Sequence, residues 1–149
     1  DVTRPQDPFP AFMFKVTLLK RDGSQLDVAG FSECSGLEST MALEEYPEGG
    51  VNDRVHRFPS RFQFANLVLR RGVSLDPLLR RWHDDLLQGK VVRHDGLITL
   101  CNEAGEGMLR WKFEGGLPIK YTGPTLNATT SATSIESLEI AYERLQREE

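Results

Sequence analysis

Cysteine is scarce in this chain of 149 residues: Cys34 and Cys101 are the only two, and they lie in no CxxC-type spacing. That excludes a disulfide framework and a paired-thiolate metal site, and it leaves two buried reduced thiols as the expected state. Histidine is nearly as rare. His56, His83 and His94 are scattered, without the HxxxH or HExxH spacing that would converge ligands on a metal. No metal or other cofactor is expected. A long apolar run is also missing, since Pro5, Pro8, Pro10, Lys15, Lys20 and Arg21 break the first stretch and none follows. The residues therefore give no sign of a signal peptide or a membrane span, and the chain reads as soluble. Positive charge is not in excess either. The formal net charge is −4, with both signs interspersed, so there is no basic field to hold a phosphate backbone.

Catalytic patterns are equally thin. His83-Asp84-Asp85 combines a base with carboxylates, but consecutive helical residues point about 100° apart and cannot aim at one atom. They read as a solvated helix face. No GxSxG elbow surrounds a serine, and neither Gly49-Gly50 nor Gly115-Gly116 is followed by the Lys-Ser or Lys-Thr of a phosphate loop. The chain is not expected to be an enzyme. Arg57, Arg61, Arg70 and Arg71 interleave with Phe58, Phe62 and Phe64, a mixture that can bind single-stranded nucleic acid. The plainer expectation is a strand whose alternate Phe side chains fill the core while the Arg side chains face solvent or a neighbouring subunit, with Glu44, Glu45, Glu48 and Asp53 as partners.

What is present is alternation and turn chemistry. A chain this long with 39% hydrophobic residues can bury one core, so a single domain over 1–149 is expected. Phe12, Phe14, Val16 and Leu18 fall on one face of a strand, Arg21-Asp22-Gly23-Ser24 can turn, and residues 25–31 can return antiparallel. Residues 37–46 suit another strand. The stretch 46–53, with one proline and two adjacent glycines, reads as a long loop or hairpin tip. Leu67 to Arg71 alternate again. One helix is well marked over about residues 76–88: Asp76 can cap, Pro77 suits the first turn, Leu75, Leu78, Leu79, Trp82 and Leu86 recur at helical spacing, and Gly89 ends it. Residues 97–101 and 108–114 form a further hairpin about 102–105, and Gly115, Gly116, Pro118, Gly123 and Pro124 are expected to interrupt regular structure. The last segment fits a strand through Leu138, Ile140 and Tyr142, and equally a helix through Ile135, Leu138, Tyr142 and Leu145. The fold class is mainly β: an antiparallel sandwich or barrel with one flanking helix.

Six segments, in order along nearly the whole chain, resemble one family. They are residues 7–14; Gly30-Phe31-Ser32-Glu33-Cys34-Ser35-Gly36-Leu37; Glu45-Tyr46-Pro47-Glu48-Gly49-Gly50-Val51-Asn52-Asp53; residues 66–72; residues 118–124 with Leu126-Asn127-Ala128; and residues 134–141. On these the chain resembles the phage tail-tube family, T4-like tail tubes and the inner tubes of extracellular contractile injection systems. The departures are Cys34 in place of an aliphatic residue, Ser60 in place of Gly and Tyr142 in place of His. The resemblance implies a tail-tube domain with an extended N-terminal arm over 1–8 and an assembly loop over 46–60, six copies forming a ring, and rings stacking into a hollow tube. It makes the last segment a strand. It implies sheath, baseplate and tube-initiator proteins as partners, DNA or a protein effector as cargo in the lumen, and synthesis in a bacterial cytoplasm before incorporation into a phage tail or an injection-system particle. The principal subunit and ring contact is expected at Tyr46, Glu48, Gly49, Gly50, Val51, Asn52, Asp53 and Arg54. A tube initiator, a type VI ring protein and a small-ligand-binding barrel are the competing readings. Copy number separates the first, and thermal stabilisation by a small ligand would mark the last.

Overall fold

Alternation in the first strand builds one wall of the core. The computed structural model describes residues 13–20, 23–47, 55–71, 77–124 and 135–148. β1 (Met13–Leu19) turns into β2 (Gln25–Phe31). Val16, Leu18 and Phe31 are buried, as the period of two requires. After Ser32 the chain continues as β3 (Glu33–Ser35), followed by β4 (Ser39–Pro47), β5 (Val55–Phe64) and β6 (Leu67–Arg71). The helix α1 (Pro77–Leu87) comes next, then β7 (His94–Cys101), β8 (Gly107–Thr122), β9 (Glu136–Ala141) and β10 (Arg144–Glu148).

Eight of the ten strands form one antiparallel sheet in the order β2-β1-β7-β8-β9-β6-β3, with β10 also on β8. Only Ser32 separates β2 from β3, so the two act as one kinked strand that pairs with β1 on one side and β6 on the other. Both the backbone N–H and the hydroxyl of Ser32 donate to the Arg70 carbonyl at 3.0 Å, and Arg70 bridges Glu33 at 3.3 Å. The sheet thereby closes into a barrel around Val16, Leu67, Leu69, Ile98, Phe113, Leu138 and Ile140. Phe113 fits beside β7 because Gly96 stands opposite it; a Cβ there would sit 2.3 Å from the Phe113 ring. Among the described residues no helix is long and apolar enough to cross a membrane.

Three expectations need correction. Residues 115–118 do not interrupt β8, which runs for 16 residues. Gly115 N–H donates to Asp95 Oδ1 at 2.9 Å, Glu143 N–H donates to the Glu114 carbonyl at 2.8 Å, and the Gly115 carbonyl accepts from Arg93 at 3.0 Å, so neighbours on both sides hold the chain extended. His83 is not on a solvated face. It is buried, and its Nδ1–H donates to the Pro118 carbonyl at 2.6 Å, pinning α1 to β8 alongside Leu79 and Trp82. Asp84 is exposed as expected, and Asp85 pairs with Lys90 at 3.9 Å. The third correction concerns Phe58 and Phe62, which are exposed rather than core residues, as set out below. The last segment is strand, β9 and β10 together lining one edge of β8. The helix cap expected at Asp76 lies outside the described residues, as do residues 1–8.

Both cysteines are free thiols. Cys101 is buried, and Cys34 is half-buried with its thiol pushed up to about 12 by burial, the Glu33 carboxylate adding to the effect. The reactive species is the thiolate, which the raised pKa of Cys34 disfavours, and burial shields Cys101 from reagent, so neither should react quickly in the folded protein. Iodoacetamide at about pH 8.5, near the ordinary thiol pKa, is expected to leave the intact mass of the native chain unchanged and to add two labels in denaturant. A label on Cys34 under native conditions would show that the β3–β6 edge opens readily.

Candidate assembly interface

Among the described residues the strands β4 and β5 pair only with each other, as a two-stranded sheet apart from the barrel. A lone two-stranded hairpin is marginal in water and needs a third strand or a packing surface. Its register runs from Ser39↔Phe64 at the base to Pro47↔Val55 at the outer end. Between Met41↔Phe62 and Leu43↔Pro59 the register shifts, with one more residue on β5 than on β4. A bulge of this kind tolerates Pro59 in a strand, and it twists the arm.

Residues directly opposite share a face. One face of the outer arm therefore carries Tyr46 with His56 and Glu44 with Phe58. Phe58 meets Tyr46 edge-on at 6.4 Å between ring centroids and stacks on His56 at 6.2 Å. The other face carries Leu43 with Pro59 and Glu45 with Arg57, the last pair bridged at 3.5 Å. Leu43, Tyr46, Val55, Phe58 and Phe62 are each between 52% and 68% exposed. Five large apolar side chains this exposed on the two faces of one narrow arm mark an interaction site rather than scattered exposure.

Among the described residues the aromatic contacts that anchor the arm are at its base. Phe62 stacks on Phe64 at 6.3 Å, and Phe64 meets Tyr142 at 5.7 Å, which in turn touches Phe113 of the core. Burial pushes the Tyr142 phenol up to about 12, the charges of Glu38 and Cys34 adding, and its hydroxyl has no hydrogen-bond partner among the described residues. Open edges occur elsewhere as well. Among the described residues β10 pairs with β8 alone, leaving its outer edge free beneath Arg144, Gln146 and Arg147.

Of the eight residues expected to form the contact, Tyr46 stands exposed near the outer end of β4. Glu48, Gly49, Gly50, Val51, Asn52, Asp53 and Arg54 lie outside the described residues. Part of the span 46–60 expected as a loop is strand: Tyr46 and Pro47 end β4, residues 55–60 belong to β5, and Tyr46 and Pro47 pair with His56 and Val55. Phe58, Phe62, Leu43 and Val55 were not among the expected contact residues. Their signal was in the sequence as β-branched and aromatic residues on both faces of one hairpin.

The family model described as T4-like virus tail tube protein gp19 matches residues 10–146. No curated protein is similar to the chain at a significant level. A chain in the cryo-EM structure of the anti-feeding prophage (AFP) baseplate, 6-fold symmetrised, is 26% identical with a TM-score of 0.78, over 95% of this chain and 96% of that one. A chain in the structure of an extracellular contractile injection system, the PVC sheath-tube complex in the extended state, is 25% identical with a TM-score of 0.75, over 97% and 93%. A type six secretion system protein shares the fold at 15% identity, with a TM-score of 0.58 over 92% of this chain and 83% of that one. With the family match spanning almost all of its length, the chain belongs to the T4-like tail tube protein family.

Proposed function

We propose that this protein is a structural subunit of the inner tube of a contractile phage tail or injection system. Six copies close into a ring and rings stack into a conduit for DNA or a protein effector, without chemistry on the cargo. The observation that carries this reading is the β4–β5 arm, a two-faced hairpin with exposed apolar side chains and no further partner strand among the described residues, in a member of the tail tube family. A second copy supplies what it lacks: a surface for Phe58 and Phe62 and backbone partners for its edges. Residues 46–54 at its end then set register between copies or rings, Gly49 and Gly50 allowing close backbone approach and Glu48, Asp53 and Arg54 choosing the partner by charge.

Sheath and baseplate proteins are the further partners of this reading, in a particle assembled from subunits made in a bacterial cytoplasm. Similarity to a chain of the AFP baseplate also supports a second reading, a tube initiator with few copies per particle. The two differ in whether the purified protein extends into long tubes.

Negative-stain electron microscopy over a concentration series, with mass photometry on the same samples, tests both. Six-fold rings and stacked hollow tubes are expected, and Glu48→Arg with Asp53→Arg should reduce them to free subunits or single rings. Normal tubes from that double variant would remove residues 46–54 from the role of assembly determinant. A chain that stays monomeric even with baseplate components present would sink the tube reading.

A further inference from the structure

A second surface, between α1 and the ends of β1 and β2, has a different character. Leu78, Arg81, Trp82 and Asp85 recur along α1 at i, i+3, i+4 and i+7 and so form one stripe. Facing that stripe, the ends of β1 and β2 present Lys20 and Leu26, and the segment after the helix presents Lys90 and Val92. Together they enclose an open groove of about 330 Å³. Its floor is apolar: Leu26, Leu78 and Val92 are half-buried, and the Trp82 ring is held in place by its indole N–H, which donates to the Val92 carbonyl at 2.7 Å.

The rim is cationic. Lys90 is matched by Asp85 at 3.9 Å, but Lys20 and Arg81 have no ion-pair partner among the described residues. His94, also on the groove, is held toward its neutral form by burial and adds no charge at neutral pH. Two cations that no described carboxylate matches thus flank an apolar floor on a chain whose formal net charge is −4. A chain rich in acid has placed positive charge where a large apolar side chain can be seated. A small number of fixed polar groups around an apolar concavity is the usual build of a recognition site.

We infer that this groove docks a segment of a partner protein that carries one or two bulky apolar side chains flanked by carboxylates. The apolar group lies against Trp82 and Leu78, while the flanking carboxylates meet Lys20 and Arg81. The arm of a second copy is a poorer fit. Its described strands hold two acidic residues, Glu44 and Glu45, against two basic ones, Arg57 and Arg61, so it offers no net charge to the rim. The assignment is independent of ring formation, because neither the arm nor the open β10 edge takes part.

The test uses the full chain with Trp111→Phe, which leaves Trp82 as the only tryptophan. The probe is a short synthetic peptide with a Leu-Phe pair flanked on both sides by Glu, titrated while Trp82 emission is followed. Calorimetry on the unsubstituted chain gives the same readout should Trp111→Phe perturb folding. Saturable binding is expected, weakened on the order of tenfold by Arg81→Glu with Lys20→Glu, as loss of complementary charge at a rim should do. It should also weaken when the screening length is cut from about 30 Å to about 3 Å by raising salt from about 0.01 M to about 1 M. Peptides with Lys for Glu, or Ser for the Leu-Phe pair, should not saturate. Equal binding of the Lys peptide, indifference to the charge reversal, or no saturation by the Glu peptide would each overturn the assignment. Self-association of the chain that the charge reversal abolishes without any peptide would overturn it in favour of a second copy.

Discussion

Replacing Phe58 and Phe62 together by Ser is expected to abolish tube formation while leaving the melting temperature of the isolated subunit within about 4 °C of its original value, since exposed substitutions change stability by about 0.5 kcal/mol or less each. Phe58 and Phe62 are 52% and 61% exposed, so neither contributes much to the barrel core. A Phe buries about 200 Å² in full, so roughly half of that remains to be covered. At about 25 cal/mol per Å², covering it is worth about 2.5–3 kcal/mol for each ring. Losing both removes about 5 kcal/mol from each contact, which is more than a thousandfold in the association constant. Calorimetry of the monomer and sedimentation velocity across a concentration series read the two effects separately. A large fall in melting temperature would mean that the arm folds back on its own barrel. Tubes of normal length would mean that the aromatic faces are not buried on assembly.

Those two residues also show where a sequence stops being legible. Period-two alternation in residues 55–64 reveals a strand with two faces, but not whether anything covers either face. Phe residues on alternate positions therefore read as core, whereas β4 and β5 form an arm with solvent on both sides. The same limit applies to His83. Its helical position was clear, but its burial depends on the Pro118 carbonyl 35 residues away, in a stretch whose glycines and proline argued against a strand. Local cues were enough where the partner is adjacent in sequence. The β1–β2 hairpin and the start of α1 at Pro77 agree with alternation and with the preference of proline for the first helical turn. The last segment needed more, because Leu138 and Tyr142 satisfy both periods. Pairing of β9 with β6 and β8 at once decides it, and that is a tertiary fact. Of the expected contact, the apolar arm is now visible at Tyr46, while the charged end at residues 48–54 lies outside the described residues.

Gly36→Ala is expected to cost far more stability than Gly23→Ala, although the two glycines have nearly the same backbone. Gly36 sits at φ +90° and Gly23 at φ +88°, both in the left-handed region. Conformational strain alone should therefore cost each alanine variant about 1–2 kcal/mol. Around Gly23 an added Cβ would meet nothing within 4 Å. Around Gly36 it would lie 2.0 Å from the Asn66 carbonyl oxygen, 3.0 Å from the Asn66 carbonyl carbon and 3.3 Å from Leu67 Cα. All three are backbone atoms, so no rotamer change relieves the overlap. Moving them means shifting the start of β6, where fully buried Leu67 pairs with Ile140 of β9. Overpacking against an element that cannot yield adds about 1–3 kcal/mol, bringing the total for Gly36→Ala to about 2–5 kcal/mol. At about 2–4 °C per kcal/mol for a chain of this size, Gly23→Ala should lower the melting temperature by about 2–8 °C and Gly36→Ala by several degrees more in the same buffer. The difference between the two variants isolates the contact from the strain. Equal falls would mean that β3 and β6 do not approach as closely at Gly36 as the barrel closure requires.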